Sequence, residues 1–332
     1  MAKLAKLLQA AAGAGGGEAL NIEDVFSTYL YDGNSSTQTI TNGIDLAGEG
    51  GLVWLKSRNA TDDHYLVDTE RGITKYLLSN ASSAEGTASN IITSIASDGF
   101  TLGANTGTNR LRSPLRNYAS WTFRKAPKFF TCLTYSGTGT AQTISHDLGT
   151  TVGTLIVKRT DSADNWTVWH RGVNSGSGSS FLNLNLTSGY SNSGTRWNST
   201  APTSTQFSVG THASVNASGG TYVAYLFAHN DGDGEFGSEA DADVIKCGSY
   251  TGNGSTTGPV IDLGFEPQWL LVKVTDRSGN WFIFDTMRGF TATAENQPRL
   301  IPNNNTVEEP NASAIKIYSL PFPFTSSPVC AG

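Results

Sequence analysis

The sequence predicts an all-β chain: three tandem antiparallel β-sandwich modules of jelly-roll or lectin-like type, the third incomplete, behind a short N-terminal helix. The first observation behind this is a unit that occurs three times, with Tyr31, Tyr135 and Tyr250 spaced by 104 and 115 residues in a chain of 332. The second is composition. Only 15 % of residues are charged while Gly, Ser, Thr and Asn are abundant, which favours short strands and tight turns over helices rich in Glu, Lys and Ala. The third is that the apolar runs between turn signals are strand-length, with no helical interval of about 10–15 residues between them, which excludes a βαβ plan.

Each copy of the unit opens on a tyrosine and a turn: Tyr31-Asp-Gly, Tyr135-Ser-Gly and Tyr250-Thr-Gly. An apolar run ending in lysine follows, at Leu52–Lys56, Leu155–Lys158 and Trp269–Lys273, so that tyrosine and lysine are 25, 23 and 23 residues apart. A second strand then leads to Arg71-Gly72, Arg171-Gly172 or Arg288-Gly289. The boundaries that result are an anchoring helix and Gly-rich tether at 1–22, modules at 23–128 and 129–230, an acidic linker at 231–243, and a third module at 244–332.

Taken in order, the chain begins with Met-Ala-Lys-Leu-Ala-Lys-Leu-Leu, which places Leu4, Leu7 and Leu8 on one helical face ahead of a glycine run. Either a short helix docked on a partner or a frayed terminus fits. The segment is too short for a signal peptide or a membrane span. In the first module Val25–Tyr31 reads as a strand and Asp32-Gly33-Asn34 as a turn. The run Leu52-Val-Trp-Leu, closed by Lys56, suits a strand buried on both faces. Tyr65–Asp68 returns across the sheet, Phe100–Leu102 follows a turn, and Tyr118–Phe123 closes the module with alternating aromatics. The second module repeats the plan, with alternation of Phe181, Leu182, Leu184 and Leu186 against Asn183 and Asn185, and Thr221–Phe227 as its closing strand.

The third module starts alike, but the spacing puts its closing strand near position 339, past Gly332. In its place come a possible strand at Ala314–Tyr318 and a tail whose three prolines oppose ladder pairing. A sandwich with an open edge, or one completed by another chain, is expected.

Little in the sequence carries chemistry. The acidic run holds Asp231, Asp233 and Glu235, an Asp-x-Asp-Gly opening that resembles a calcium loop, yet Phe236 stands at the glycine position and Ala242 at the glutamate position. A solvated linker is the better reading, with weak Ca²⁺ binding the only cofactor to consider. Asp68 and Asp285 each precede an Arg-Gly by three residues, while the second copy reads Trp169-His170-Arg171-Gly172, so a turn held by a local ion pair fits better than catalysis. The histidines are scattered, and Cys132 and Cys247 occupy equivalent strand positions, as small buried side chains would. A net charge of −6 without a basic cluster argues against nucleic acid. Trp54, Lys56, Arg71, Lys158, Trp166, Arg171, Trp269, Lys273, Trp281 and Arg288 are therefore expected to be structural residues of the repeat.

The motifs Gly248-Ser-Tyr-Thr-Gly-Asn-Gly254, Gly264–Lys273, Asn280-Trp281, Asp285–Gly289 and Thr221–Phe227 resemble those of repeat-bearing structural and tail-fibre-like virion proteins of marine tailed bacteriophages, of cyanophage and pelagiphage type. The resemblance covers roughly residues 24 to 300. It implies a β-rich, non-enzymatic component of the phage particle, a tail fibre or tail-associated appendage taking part in host attachment. It carries over no active site. Partners on this reading are other virion proteins, held through the N-terminal segment, and further copies of the chain. The alternatives are an array of lectin-like modules that binds host surface glycans and, more weakly, a polysaccharide depolymerase.

Overall fold

Apolar runs flanked by glycine turns can bury both faces only if both edges are also paired, and each module meets that demand with a central strand between two others. The computed structural model describes residues 19–255, 258–291, 297–312, 315 and 327–331. They form an all-β structure of several sheets, none closed into a barrel. The leucines expected to anchor the chain (Leu4, Leu7 and Leu8) lie outside the described residues, as does nearly all of Ala314–Tyr318.

The first module comprises β1 (Phe26–Asp32), β2 (Gln38–Thr41), β3 (Gly51–Ser57), β4 (Tyr65–Asp68), β5 (Lys75–Leu78), β6 (Gly86–Thr87), β7 (Ile92–Ala96), β8 (Gly99–Leu102) and β9 (Asn117–Arg124). Its large sheet has the order β1-β9-β3-β4-β5-β6, and β2-β8-β7 form a small one. The second comprises β10 (Phe130–Ser136), β11 (Gln142–Ser145), β12 (Val152–Arg159), β13 (Thr167–His170), β14 (Ser180–Asn183), β15 (Ser191–Asn192), β16 (Gln206–Val209) and β17 (Thr221–Ala228). Its sheets are β10-β17-β12-β13-β14-β15 and β11-β16. The third comprises β18 (Lys246–Gly248), β19 (Pro267–Lys273), β20 (Trp281–Asp285), β21 (Gln297–Arg299), β22 (Glu309–Ala312) and β23 (Ser327–Ala331), in sheets β18-β23-β19-β20 and β21-β22.

Register makes the repeat explicit. Leu52 pairs with Asp68, Thr154 with His170 and Trp269 with Asp285, and in each case the repeat lysine lies four residues further along the first strand. Every residue of β3 is buried, and its alternation divides between two cores. Val53 and Leu55 pack with Ile40, Phe100 and Leu102 inside the module. Leu52 and Trp54 face a second core, which joins Phe130 and Phe227 of the second module to Trp269 and Leu271 of the third. Phe123 stands at the meeting point, edge to face with Phe227 at 5.3 Å and with Trp269 at 5.5 Å.

The modules are not beads on a string. One backbone hydrogen bond recurs at every junction: Glu85 N–H donates to Thr160 O (2.8 Å), Tyr190 N–H to Thr275 O (2.7 Å) and Glu308 N–H to Arg58 O (2.7 Å). The three acceptors each lie two residues beyond the repeat lysine. First meets second, second meets third and third meets first, so the three form a closed ring.

Three expectations require correction. The acidic segment is not a free linker: Phe236 is buried, stacks edge-on with Phe129, and bridges to Leu20, whose carbonyl accepts from Gly237 N–H at 2.9 Å. The alternation from Phe181 to Leu186 does not hold, because β14 ends at Asn183 and a turn follows, burying Phe181, Leu182 and Leu184 and exposing Leu186. The third module's closing position is also not vacant. β23 occupies it, parallel to both β18 and β19, whereas β9 and β17 run antiparallel to their neighbours. A ladder edge takes a strand in either direction, and the prolines did not prevent it, Pro328 lying opposite Trp269.

Candidate functional site

The residues with the most chemical potential meet where modules join. At the end of β4, Asp68 closes a turn by accepting from Arg71 N–H at 2.9 Å, and its second oxygen accepts from Arg71 Nε at 2.7 Å. That same oxygen accepts from the hydroxyl of Tyr225 in β17 of the second module at 2.6 Å. Arg71 continues to Glu85 at 3.0 Å and to the carbonyl of Leu66. Burial works against the arginine charge, but Tyr225, Asp68 and Glu85 together hold its pKa above the usual range. Burial pushes the Tyr225 hydroxyl well above its ordinary value, so it stays a donor.

The junction between third and first modules repeats this constellation with one substitution. Asp285 accepts from Arg288 N–H at 2.9 Å and from Arg288 Nε at 2.5 Å, and takes its third donor from the indole Nε1 of Trp121 in β9, at 2.9 Å. Glu308 then bridges Arg288 at 3.1 Å and Arg58 at 2.7 Å. Trp121 and Tyr225 are equivalent, each opposite the same position of the central strand (Trp54 and Ile156). In the second module His170 replaces the aspartate and caps the turn through Nδ1, which accepts from Gly172 N–H at 2.9 Å. The acceptor is kept although the acid is not.

The repeat lysines share a second feature. Lys56, Lys158 and Lys273 are all buried. Lys56 donates to the carbonyls of Ser57 and Ala60, Lys158 to that of Arg159, and Lys273 to those of Val274 and Thr187, the last in the neighbouring module. Burial lowers each to about 8, opposed in part by nearby aspartates. Beside Lys56, His64 accepts from Trp54 Nε1 at 3.0 Å, and burial, reinforced by Lys56 and Arg288, holds its imidazole well below its ordinary value.

Tryptophan follows the same logic. Trp166 donates to the carbonyls of Leu78 and Ala81 in the first module, and Trp281 to that of Asn183 in the second. All seven tryptophans are buried, so none offers a surface platform for a sugar ring. A recess of about 240 Å³ is lined by Leu30, Tyr31, Asp32, Arg58, Asn117 and Tyr118 and reaches none of the repeat lysines or buried aspartates.

Of the ten repeat residues, Trp54, Lys56, Lys158, Trp166, Trp269, Lys273, Trp281 and Arg288 are buried and the Arg71 side chain is 3 % exposed, whereas Arg171 is half-buried at the second turn. The carboxylates considered for calcium do not converge. Glu235 pairs with Lys128 at 2.5 Å, Asp231 lies 3.6 Å from Lys246, and Asp233 accepts from the hydroxyl of Thr150 and from Asp231 N–H. Among the described residues no group of three or more His, Cys, Asp or Glu side chains is placed to hold a metal ion. Sequence reading missed Tyr225, Trp121, Glu85 and Glu308. The first two were signalled by their place three residues after the tyrosine that opens each closing strand (Tyr118, Tyr222), whereas the glutamates lie in loops of unlike length.

Residues 22–329 match the domain family described as a domain of unknown function, DUF7483. No curated protein and no solved structure matches the chain.

Proposed function

We propose that this chain, which belongs to the DUF7483 family, is a non-enzymatic structural component of a bacteriophage virion, a tail fibre or tail-associated appendage taking part in host attachment. The observation that carries the reading is the use made of the repeated polar residues. Asp68, Arg71, Asp285 and Arg288 have side chains at most 3 % exposed and are spent on joining one module to the next. A rigid unit that displays loops outward results, which suits a particle component. The resemblance of its motifs to virion proteins supplies the particle.

The test is to purify particles from a phage encoding this chain and locate it by electron cryo-microscopy, with a deletion of residues 1–17 in parallel. The intact chain is expected in tail density, and the deletion should be lost from particles while its modules stay folded. Particles without the chain would sink the proposal. Normal incorporation of the deletion would remove the N-terminal anchor from it.

A further inference from the structure

Among the described residues three arginines lie over aromatic rings: Arg196 on Phe181, 3.4 Å from its centre, Arg299 on Phe282 at 4.1 Å and Arg288 on Trp121 at 5.5 Å. Arg299 and Arg288 each direct Nε to a carboxylate, Glu309 at 2.7 Å and Asp285 at 2.5 Å. Arg196 departs from this pattern. Its Nε is buried without a hydrogen-bond partner, and no carboxylate among the described residues pairs with its guanidinium. Burial lowers its pKa, and Asp164 opposes this only from a distance. In the sequence, Arg196 is the one Asp, Glu, Lys or Arg between Arg171 and Asp231. A half-buried cation with an unmet donor is costly, and what it lacks is an anion.

The guanidinium is held on a fixed frame. Its backbone belongs to a single helical turn, Gly194–Trp197, in which the Arg196 carbonyl accepts from Gly210 N–H at 2.7 Å and the Trp197 indole donates to Ser180 O at 3.1 Å. Residues 173–180 and 198–200 form loops beside this turn. They meet so closely that a side chain at Gly178 would lie 2.3 Å from Thr200 N, and the hydroxyls of Ser179 and Ser199 are 3.3 Å apart. Asn174, Ser175, Asn198 and Ser199 have positive φ, four of the seven described non-glycine residues that do. Backbone of this kind persists where the surroundings over-determine it, and it clusters where ligands are held.

We propose that Arg196, with the loops beside it, binds the carboxylate or sulfate ester of an acidic saccharide. One fixed guanidinium matches one monoanion, and its planar fork suits two oxygens of a carboxylate or sulfate. Phosphate-rich ligands fit poorly, because the turn and its loops hold no second Lys or Arg, and His212, lowered by burial and by Arg196, is neutral at pH 7. The loops offer hydroxyls and amides, with Thr195, Asn198 and Ser199 exposed, and within residues 173–180 and 193–200 the large apolar side chains Val173 and Trp197 are buried. Such a surface pairs with sugar hydroxyls and gives the apolar side chains of a peptide nothing to pack on. The assignment goes beyond the particle reading and does not rest on it, since binding is measured on the purified chain.

The test is titration calorimetry of the full chain with oligogalacturonate and oligoalginate, which carry carboxylates, with κ-carrageenan oligosaccharide, which carries sulfate esters, and with neutral oligogalactan. Saturable binding of an acidic probe and none of the neutral one is expected, and the acidic probe that binds identifies the anion. Arg196→Met keeps an unbranched cover over Phe181 while removing the charge. It should weaken binding at least about tenfold and leave the thermal midpoint within about 2 °C. Arg299→Met, at the arginine that has its own carboxylate, should bind like the unaltered chain. Binding of none of the three acidic probes, or equal binding by the Arg196→Met chain, would overturn the assignment. So would binding of the peptide Gly-Asp-Gly as tightly as the acidic saccharides, since the occupant would then be a protein.

Discussion

The hydroxyl of Tyr225 donates to Oδ2 of Asp68 across the boundary between two modules, at 2.6 Å, although 157 residues separate them in the chain. Asp68 is satisfied by its own turn and by a neighbour at once, so local folding and module assembly share one carboxylate. Tyr225→Phe removes only the hydroxyl and leaves the Arg71 pair in place. It should lower stability by about 1–2 kcal/mol, seen as a shift of the urea midpoint at constant slope. An unchanged midpoint would show that this bond adds nothing to the junction.

Removing the acid instead should cost more. Asp285→Ala leaves the buried Arg288 guanidinium with Glu308 as its one remaining carboxylate and frees the indole N–H of Trp121, and about 3 kcal/mol should be lost. Asp276→Ala, at an ion pair whose side chains are 70 % or more exposed, should change stability by less than about 0.5 kcal/mol. Similar losses in the two variants would contradict the role given to the buried pair.

A closed ring with one shared core should melt as one unit. Calorimetry is expected to show a single transition whose van't Hoff and calorimetric enthalpies agree. Trp166→Ala, which empties part of the junction between first and second modules, should lower that transition without splitting it, at a cost of about 3–5 kcal/mol. Three resolved transitions would mean that the modules fold independently.

The buried lysines give a pH signature. Each folded-state pKa is lowered to about 8, below the ordinary 10.5, so between those values the unfolded chain binds more protons than the folded one. Stability therefore rises with pH as it passes 8, by up to about 1.4 kcal/mol per pH unit for each lysine. Across the same window the unfolded chain's thiols ionise while Cys132, raised by burial, keeps its proton, which opposes the trend. Lys56→Met should lower the slope between pH 8 and 9 by about 1 kcal/mol per pH unit. An unaltered slope would show that Lys56 does not titrate in this range.

Much of the fold was legible because it rests on local signals. Glycine turns, apolar runs ending in Lys56, Lys158 and Lys273, and the alternating aromatics of Tyr118–Phe123 each report on their own strand. The pairing of Asp68 with Arg71 could be read from a spacing of three. That Tyr225 completes it could not, since nothing near residue 225 refers to residue 68. Ring closure was hidden for the same reason, as was the fate of the acidic segment, where the single aromatic Phe236 outweighs its charged neighbours by finding Phe129. The strand at Ser327–Ala331 escaped because proline content disfavours a ladder, while a row of open backbone groups accepts whatever segment is near.

The donor–acceptor pair of Trp121 and Asp285, 164 residues apart, also sets a schedule for synthesis. At roughly 5–20 residues per second, the first module waits on the order of 10–30 s after its own synthesis before the Trp121 indole finds its acceptor. During that time the inner faces of β3 and β9 have only the second module to cover them. A nascent chain that has finished β17 but not β20 is thus the stage most exposed to aggregation. Clustered slow codons between those strands would lower the yield of soluble protein more than the same codons placed after β22.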